Sequence, residues 1–392
     1  MSERKPARVG LISLGVGVAA AGVGAAIGLA AERAAVRHRL DDEIDEETQR
    51  DGYGSLRGQA HAVPASDGTA LHVEVDEADP DHAAHSPRHA RLTLVFSHGY
   101  CLSQDSWHFQ RKALRGRFRM VFWDQRGHGR SGIGPEGSAT IDQIGDDLFR
   151  VLEAVVPQGP LVLIGHSMGG MTVMSLAERH PQLFRDRVLG VAFVSTSASG
   201  LSDVTFGLPR LGRLVQRVAP GAIKALSRAS SLVERGRRLG SDLESVVVRR
   251  YSYASPVPDA LVRFTADLIA STQLEVVSSF LPSLSEHDKR EALGVIDGIE
   301  VLVIVGDSDL LTPAEHSEEI VRRLPGAEFV VVRQGGHLLM LEHHDVVTGH
   351  LSELIERSVR AHDGGDGPIR RGLIRRTVTP LRRRRKRRDG AA

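Results

Sequence analysis

The stretch Gly165-His166-Ser167-Met168-Gly169-Gly170 constrains this chain more than any other. It follows the apolar run Leu161-Val162-Leu163-Ile164 and opens onto residues 171–179, which have helical character. Strand, sharp turn and helix, with a serine at the apex, form a G-x-S-x-G elbow. Such a turn forces the serine into a strained backbone conformation. The flanking glycines follow because a Cβ at either position would collide with the strand or the helix. The strain pushes the Ser167 hydroxyl out of the sheet edge, where a base and a substrate reach it.

The segments around the elbow alternate. Ser66-Asp67-Gly68-Thr69 is a turn, and Leu71-His72-Val73-Glu74-Val75 alternates as a half-buried strand, so a hairpin is expected. Residues 76–90 are polar and read as a loop. Buried-type strands are expected at 92–97, 118–123, 161–164, 188–195, 301–305 and 328–332, and 141–156 has helical spacing. Strands alternating with helices specify an α/β fold, with a mostly parallel central sheet and helices on both faces. Between 197 and 297 the alternation gives way to amphipathic helical patterns at 208–218, 222–240 and 261–280, expected to form a helical cap over the strand ends.

Serine alone is a poor nucleophile and needs a base, oriented by a carboxylate. Gly335-Gly336-His337 follows the strand ending near Val332, and its glycines let the loop bend so that His337 points at the elbow. His98 and His166 sit inside other motifs, His343 and His344 fall in a helix-like segment, and His128 is a further rival. The acid is expected after the preceding strand, in Gly306-Asp307-Ser308-Asp309. Asp309 lies further into the loop and can swing towards His337, whereas Asp307 is placed to cap the turn. An attacked acyl group also needs donors for its oxyanion. The backbone N–H of Met168 supplies one, and that of Tyr100, in the loop Ser97-His98-Gly99-Tyr100, the other. No H-E-x-x-H or C-x-x-C is present, and no G-x-G-x-x-G follows a strand with an acidic partner. Neither a metal nor another cofactor is therefore expected.

With these motifs in the order Ser167, Asp309, His337, residues 60–360 resemble the α/β-hydrolase superfamily. The likeness is to its cap-bearing branch of esterases, lipases, lactonases and cofactor-free haloperoxidase-like proteins. It rests on 97–100, 124–131, 165–170, 306–313 and Gly336-His337. The resemblance implies that 124–131 is chiefly a structural Asp/Arg network beside the site. Glu300 departs from the proline usual before this strand. Serine at the apex sets the chain apart from relatives with a carboxylate nucleophile, and implies attack on an acyl C–O, C–N or C–C bond. The expected activity is hydrolysis of a carboxylic ester, of an apolar or lipid-derived acyl group, through an acyl-enzyme. A lactonase or C–C hydrolase, an acyltransferase, and a non-catalytic ligand-binding protein of the same fold are the alternatives.

The ends lie outside that likeness. A basic stretch (1–8) precedes 9–31, which holds no charged side chain and is long enough to span a bilayer as a helix. It reads as a membrane anchor, with a signal peptide as the alternative. An acidic linker (32–59) follows. The net charge of +1 hides an asymmetry, because 370–388 holds eleven Arg and Lys and no acid. The tail, 361–392, is expected to lack fixed structure and to meet anionic lipid through 370–388. It has no aromatics to stack on bases, so no nucleic-acid partner is expected. The expected location is a membrane with the catalytic domain on the cytoplasmic side, an unanchored cytoplasmic or an exported protein being the alternatives. One cysteine, Cys101, excludes an intramolecular disulfide.

Overall fold

A computed structural model of the chain describes residues 52–85, 91–200, 241–363 and 372–380. Its strands are β1 (Gln59–Pro64), β2 (Ala70–Asp76), β3 (Thr93–Ser97), β4 (Arg119–Trp123), β5 (Leu161–His166), β6 (Val188–Val194), β7 (Glu300–Gly306), β8 (Glu328–Val332) and β9 (Ile374–Val378). They form one nine-stranded sheet in the order β1-β2-β4-β3-β5-β6-β7-β8-β9. β2 pairs antiparallel with both β1 and β4, and the remaining pairs are parallel. The expected hairpin is β1–β2, closed by Ala65 N–H on Thr69 O at 2.8 Å. Of the stretch expected to be all loop, Pro80–His85 forms a short helix, α1.

The central strands are apolar at nearly every position because both faces are covered. Successive side chains point to opposite faces. Val95, Val121, Leu163, Phe193 and Val303 pack one way, with α3 (Ile141–Val155), α4 (Met168–Arg179) and α10 (Ala314–Arg323). Leu94, Phe96, Ile164, Val194 and Ile304 pack the other way, with α2 (His108–Leu114) and α11 (His344–Asp363). Helix α5 (Pro181–Arg187) leads into β6. The chain passes from β3 outward to β4, then returns to place β5 on the other side of β3. Ligands of open parallel sheets bind in the crevice at such a reversal, beyond the carboxyl ends of the strands. Here those ends carry Ser97 and His166.

The described part of the expected cap is helical: α6 (Ser241–Ser252), α7 (Asp259–Ser271), α8 (Leu274–Glu286) and α9 (Leu293–Ile296). The patterns at 208–218 and 222–240 lie outside the described residues. So does the apolar segment 9–31, and among the described residues no helix is long and apolar enough to cross a membrane. Helix α8 buries Val276, Phe280 and Leu284 against Ile141, Ile144, Met168 and Met171, directly beside the elbow.

The tail requires a correction. Residues 374–378, expected to lack structure, add β9 to the sheet edge. The cause is Glu328, a carboxylate only 2% exposed at the start of β8. Arg357 Nη1 reaches it at 2.8 Å, Arg376 Nε of β9 at 3.1 Å and His350 Nδ1 at 3.3 Å. Burial works to raise the Glu328 carboxyl, and His350, Arg357 and Arg376 outweigh it, holding the group below its usual range. The arginines that make this segment look solvated are therefore what dock it. Removing one partner of a buried ion pair leaves the others uncompensated. Glu328→Ala should cost about 3 kcal/mol in urea unfolding. Ending the chain after residue 371 should cost less, because Arg357 and His350 still face Glu328. Equal losses would contradict this account of β9.

Candidate active site

Every residue from 161 to 177 is buried except Ser167, which is half-exposed. Its backbone sits at φ 51°, ψ −119°, and its side chain does not cap α4. Close contacts impose this conformation. A Cβ on Gly165 would lie 2.4 Å from Gly169 O, and one on Gly169 only 2.2 Å from Ser97 O. The turn is then tied to β6: Ser167 N–H donates to Val194 O at 3.0 Å, and the Thr196 hydroxyl donates to Ser167 O at 2.6 Å.

His337 and Asp309 are brought together. His337 Nδ1 lies 2.9 Å from Asp309 Oδ2 and 3.1 Å from Oδ1, and both residues are buried. The carboxylate is held by further donors, Leu311 N–H at 2.8 Å, Thr312 N–H at 2.9 Å and the Thr312 hydroxyl at 2.9 Å. A carboxylate so fixed holds the imidazole with its proton on Nδ1, leaving the Nε2 lone pair free to accept a hydrogen bond. Asp307 does something else: it is exposed, and its Oδ1 accepts from Gln334 N–H and the Ser308 hydroxyl, each at 2.8 Å. The glycines before His337 serve close approach more than bending. A Cβ on Gly335 would meet Leu339 at 2.6 Å, and one on Gly336 would meet Ser252 O at 2.7 Å.

The rival histidines bond backbone groups or lie elsewhere. His166 Nε2 donates to His337 O at 3.0 Å, so the residue beside Ser167 positions the loop of the candidate base. His98 and His128 are fully buried, and burial lowers them to about 4 and about 3, so both rings are neutral. His343 Nε2 donates to Gln334 O at 3.0 Å, and His344 stacks on Phe109 with ring centres 3.9 Å apart.

The loop after β3 lies against the elbow, since a Cβ on Gly99 would be 3.3 Å from Ser167 Cβ. The backbone N–H groups of Tyr100 and Met168 have no acceptor among the described residues. The Tyr100 hydroxyl donates to Val277 O of α8, joining this loop to the cap. Behind the loop, Gln125 Nε2 donates to His98 O at 2.6 Å, and the Thr172 hydroxyl donates to Gln125 Oε1 at 2.6 Å. Asp124 accepts from Gln104 N–H and Arg130 N–H, and Arg126 forks onto Asp147 at 2.6 and 2.7 Å. This is the structural network that the 124–131 motif implies. Sequence reasoning missed Thr172 and Thr196, because single hydroxyls carry no spacing signal, and gave Gln125 and Thr312 no role of their own within the motifs that contain them. Among the described residues Glu328, His350 and Glu353 could gather round a cation, but Arg357 and Arg376 already neutralise Glu328.

A doubly wound sheet with a helical insertion, a serine elbow at its switch point and a buried Asp–His pair beside it defines an α/β hydrolase fold. The chain belongs to that family, whose model matches residues 93–344. It is 25% identical over 217 residues to the pimeloyl-acyl-carrier-protein methyl ester esterase of Neisseria meningitidis serogroup B, covering 55% of this chain and 77% of that one. The thermophilic esterase from Thermogutta terrifontis shares the fold, with a TM-score of 0.53 at 23% identity over 77% of this chain and 99% of that one. The esterase EaEST from Exiguobacterium antarcticum does so with a TM-score of 0.59 at 18% identity, over 76% and 99%. The chain is thus a member of a hydrolase family with esterase relatives.

The geometry separates the two aspartates. Asp309→Asn should lower kcat by about 10³- to 10⁴-fold, because the imidazole loses its orienting anion. Asp307→Asn should leave kcat within about threefold and mainly loosen the loop, since a surface hydrogen bond contributes only about 1 kcal/mol. The reverse pattern in steady-state kinetics would reassign the acid.

Proposed function

We propose that this protein hydrolyses carboxylic esters through an acyl-enzyme on Ser167. The observation that carries the reading is a partly exposed, strained Ser167 whose neighbour His166 bonds the carbonyl of His337, itself paired with buried Asp309, together with two amides without acceptors among the described residues. His337 takes the Ser167 proton as Ser167 Oγ attacks the acyl carbon. The tetrahedral oxyanion is held by the Tyr100 and Met168 N–H groups. The imidazolium, stabilised by Asp309, protonates the leaving alcohol. Water then attacks the acyl carbon as His337 takes its proton; the bond to Ser167 Oγ breaks, His337 returns that proton to Ser167, and the acid leaves. Tyr100, Met168, Val276 and Phe280 form an apolar cluster next to the elbow, which supports an apolar or lipid-derived acyl group.

The test is a panel of p-nitrophenyl esters of graded chain length with wild type and Ser167→Ala. Hydrolysis should fall by about 10⁴-fold or more in the variant, as triad removals do. Val276→Ala and Phe280→Ala should shift the chain-length preference more than acetate hydrolysis, because remote contacts act only on substrates that reach them. Wild-type rates in Ser167→Ala would refute the reading.

The membrane is the proposed location. Strand β9 runs parallel to β8, and Arg333 N–H donates to Val378 O at 2.9 Å, so residue 380 leaves the sheet at the carboxyl end of the strands, the end after which Ser167 and His337 lie. The basic run 382–388 follows in the sequence, and its charge supports attraction to an anionic lipid surface. A high-salt wash separates two contributions. The tail's attraction is screened by salt, whereas an anchor at 9–31 resists salt and yields to detergent. Full-length protein should stay in salt-washed membranes, and protein lacking 1–40 should be released. Full-length protein released by salt alone would dismiss the anchor.

A further inference from the structure

The structure assigns Thr196 a positioning role in the proposed reaction: from behind the elbow it aims and polarises the Met168 amide. This rests on the reading of that amide as an oxyanion donor. Thr196 follows β6, is 1% exposed, and lies outside every motif singled out in the sequence.

The peptide unit joining Ser167 to Met168 is trans and planar, so its carbonyl oxygen and its N–H point in opposite directions. Whatever fixes the Ser167 oxygen therefore aims the Met168 N–H. Three donors converge on that oxygen: the Thr196 hydroxyl at 2.6 Å, Gly170 N–H at 2.9 Å and Met171 N–H at 3.3 Å. The two amides are what a helix start supplies unaided. The hydroxyl is extra, and it makes the shortest of the three contacts. Meanwhile the Met168 N–H has no acceptor among the described residues. A hydrogen bond at one end of a peptide unit strengthens the donor at the other, since chained hydrogen bonds polarise one another. Thr196 thus both orients the amide and increases its pull on a developing oxyanion. A Cβ on Gly170 would fall 2.5 Å from Thr196 Oγ1, so the glycine is what lets the threonine approach so closely.

The other amide is held by the same logic. Gln125 N–H donates to His98 Nε2 at 2.9 Å, which puts the ring proton on Nδ1. Nδ1 donates to Gly99 O at 2.8 Å, with Leu102 N–H at 3.2 Å. The Gly99 oxygen is fixed, and the Tyr100 N–H on the far side of that peptide is aimed away from it. Both proposed oxyanion donors are therefore steered by a buried side chain on the carbonyl of their own peptide unit.

The test is the series Thr196→Ser, Thr196→Cys and Thr196→Val, assayed on p-nitrophenyl acetate and with an alkyl trifluoromethyl ketone, whose serine adduct carries an oxyanion. Thr196→Val should lower kcat by about 10- to 100-fold with KM nearly unchanged, less than the 10²- to 10³-fold typical of deleting a donor outright. The ketone should weaken by a similar factor, and the pH profile of kcat/KM should keep its shape. Thr196→Ser should retain wild-type behaviour, and Thr196→Cys, a weak donor, should fall between. If Thr196→Val does not fold, the Cys and Ser variants decide. Wild-type kcat and ketone affinity in a folded Thr196→Val or Thr196→Cys variant would overturn the proposal, as would a serine variant as impaired as valine. Those outcomes, with Ser167→Ala inactive, sink the role of Thr196 alone. A fully active Ser167→Ala sinks the serine reading and this role with it.

Discussion

One strained residue organises this molecule. Ser167 holds a left-handed backbone, a conformation that costs of order 1–3 kcal/mol at a non-glycine residue and persists only where its surroundings over-determine it. Here they do. Gly165 and Gly169 touch backbone on either side of it, Val194 takes its N–H, and Thr196 takes its carbonyl. Three of these contacts need a neighbouring strand in register: Gly169 through Ser97 of β3, and Val194 and Thr196 through β6. The two apolar layers on either face of the sheet are therefore what hold the serine in place. Were the sheet to loosen at β5, the hydroxyl would relax into an ordinary helix cap.

The base and acid depend on the same frame less directly. His337 and Asp309 hang from loops after β8 and β7, and Gly306 lets those loops touch, since a Cβ there would lie 2.1 Å from Gly335 O. His166 ties them back to the elbow through the His337 carbonyl. Polar groups beside the elbow are neutral or paired: burial keeps His98, His128 and His166 uncharged, and raises the Cys101 thiol to about 12. His337 thus stands out among these imidazoles as the one with a carboxylate partner.

What the sequence disclosed, and what it hid, follows from the range of each interaction. The elbow, the parallel strands and the loops of Asp309 and His337 were legible because apolar runs and glycines encode them within a few residues. Preferring Asp309 to Asp307 also rested on position in a short loop, and only Asp309 meets His337. The aiming hydroxyl of Thr196 was not legible, being 29 residues from its acceptor with nothing local to mark it. Strand β9 was hidden for a different reason. Composition read its arginines as solvated, and only the fold places the buried Glu328 opposite them. Tyr100 illustrates both cases, since its amide was expected from the loop, whereas its hydroxyl bond to Val277 of α8 depends on tertiary packing.

The central claim is that a covalent acyl group passes through Ser167. The most direct measurement is acid quenching during turnover of a slowly deacylating ester, followed by proteolysis and mass spectrometry. The account predicts a mass increase equal to the acyl group on the peptide containing Ser167, appearing within one turnover and decaying as substrate is exhausted. Acyl mass on another residue, or turnover with no acylated peptide under conditions where deacylation limits the rate, would contradict it.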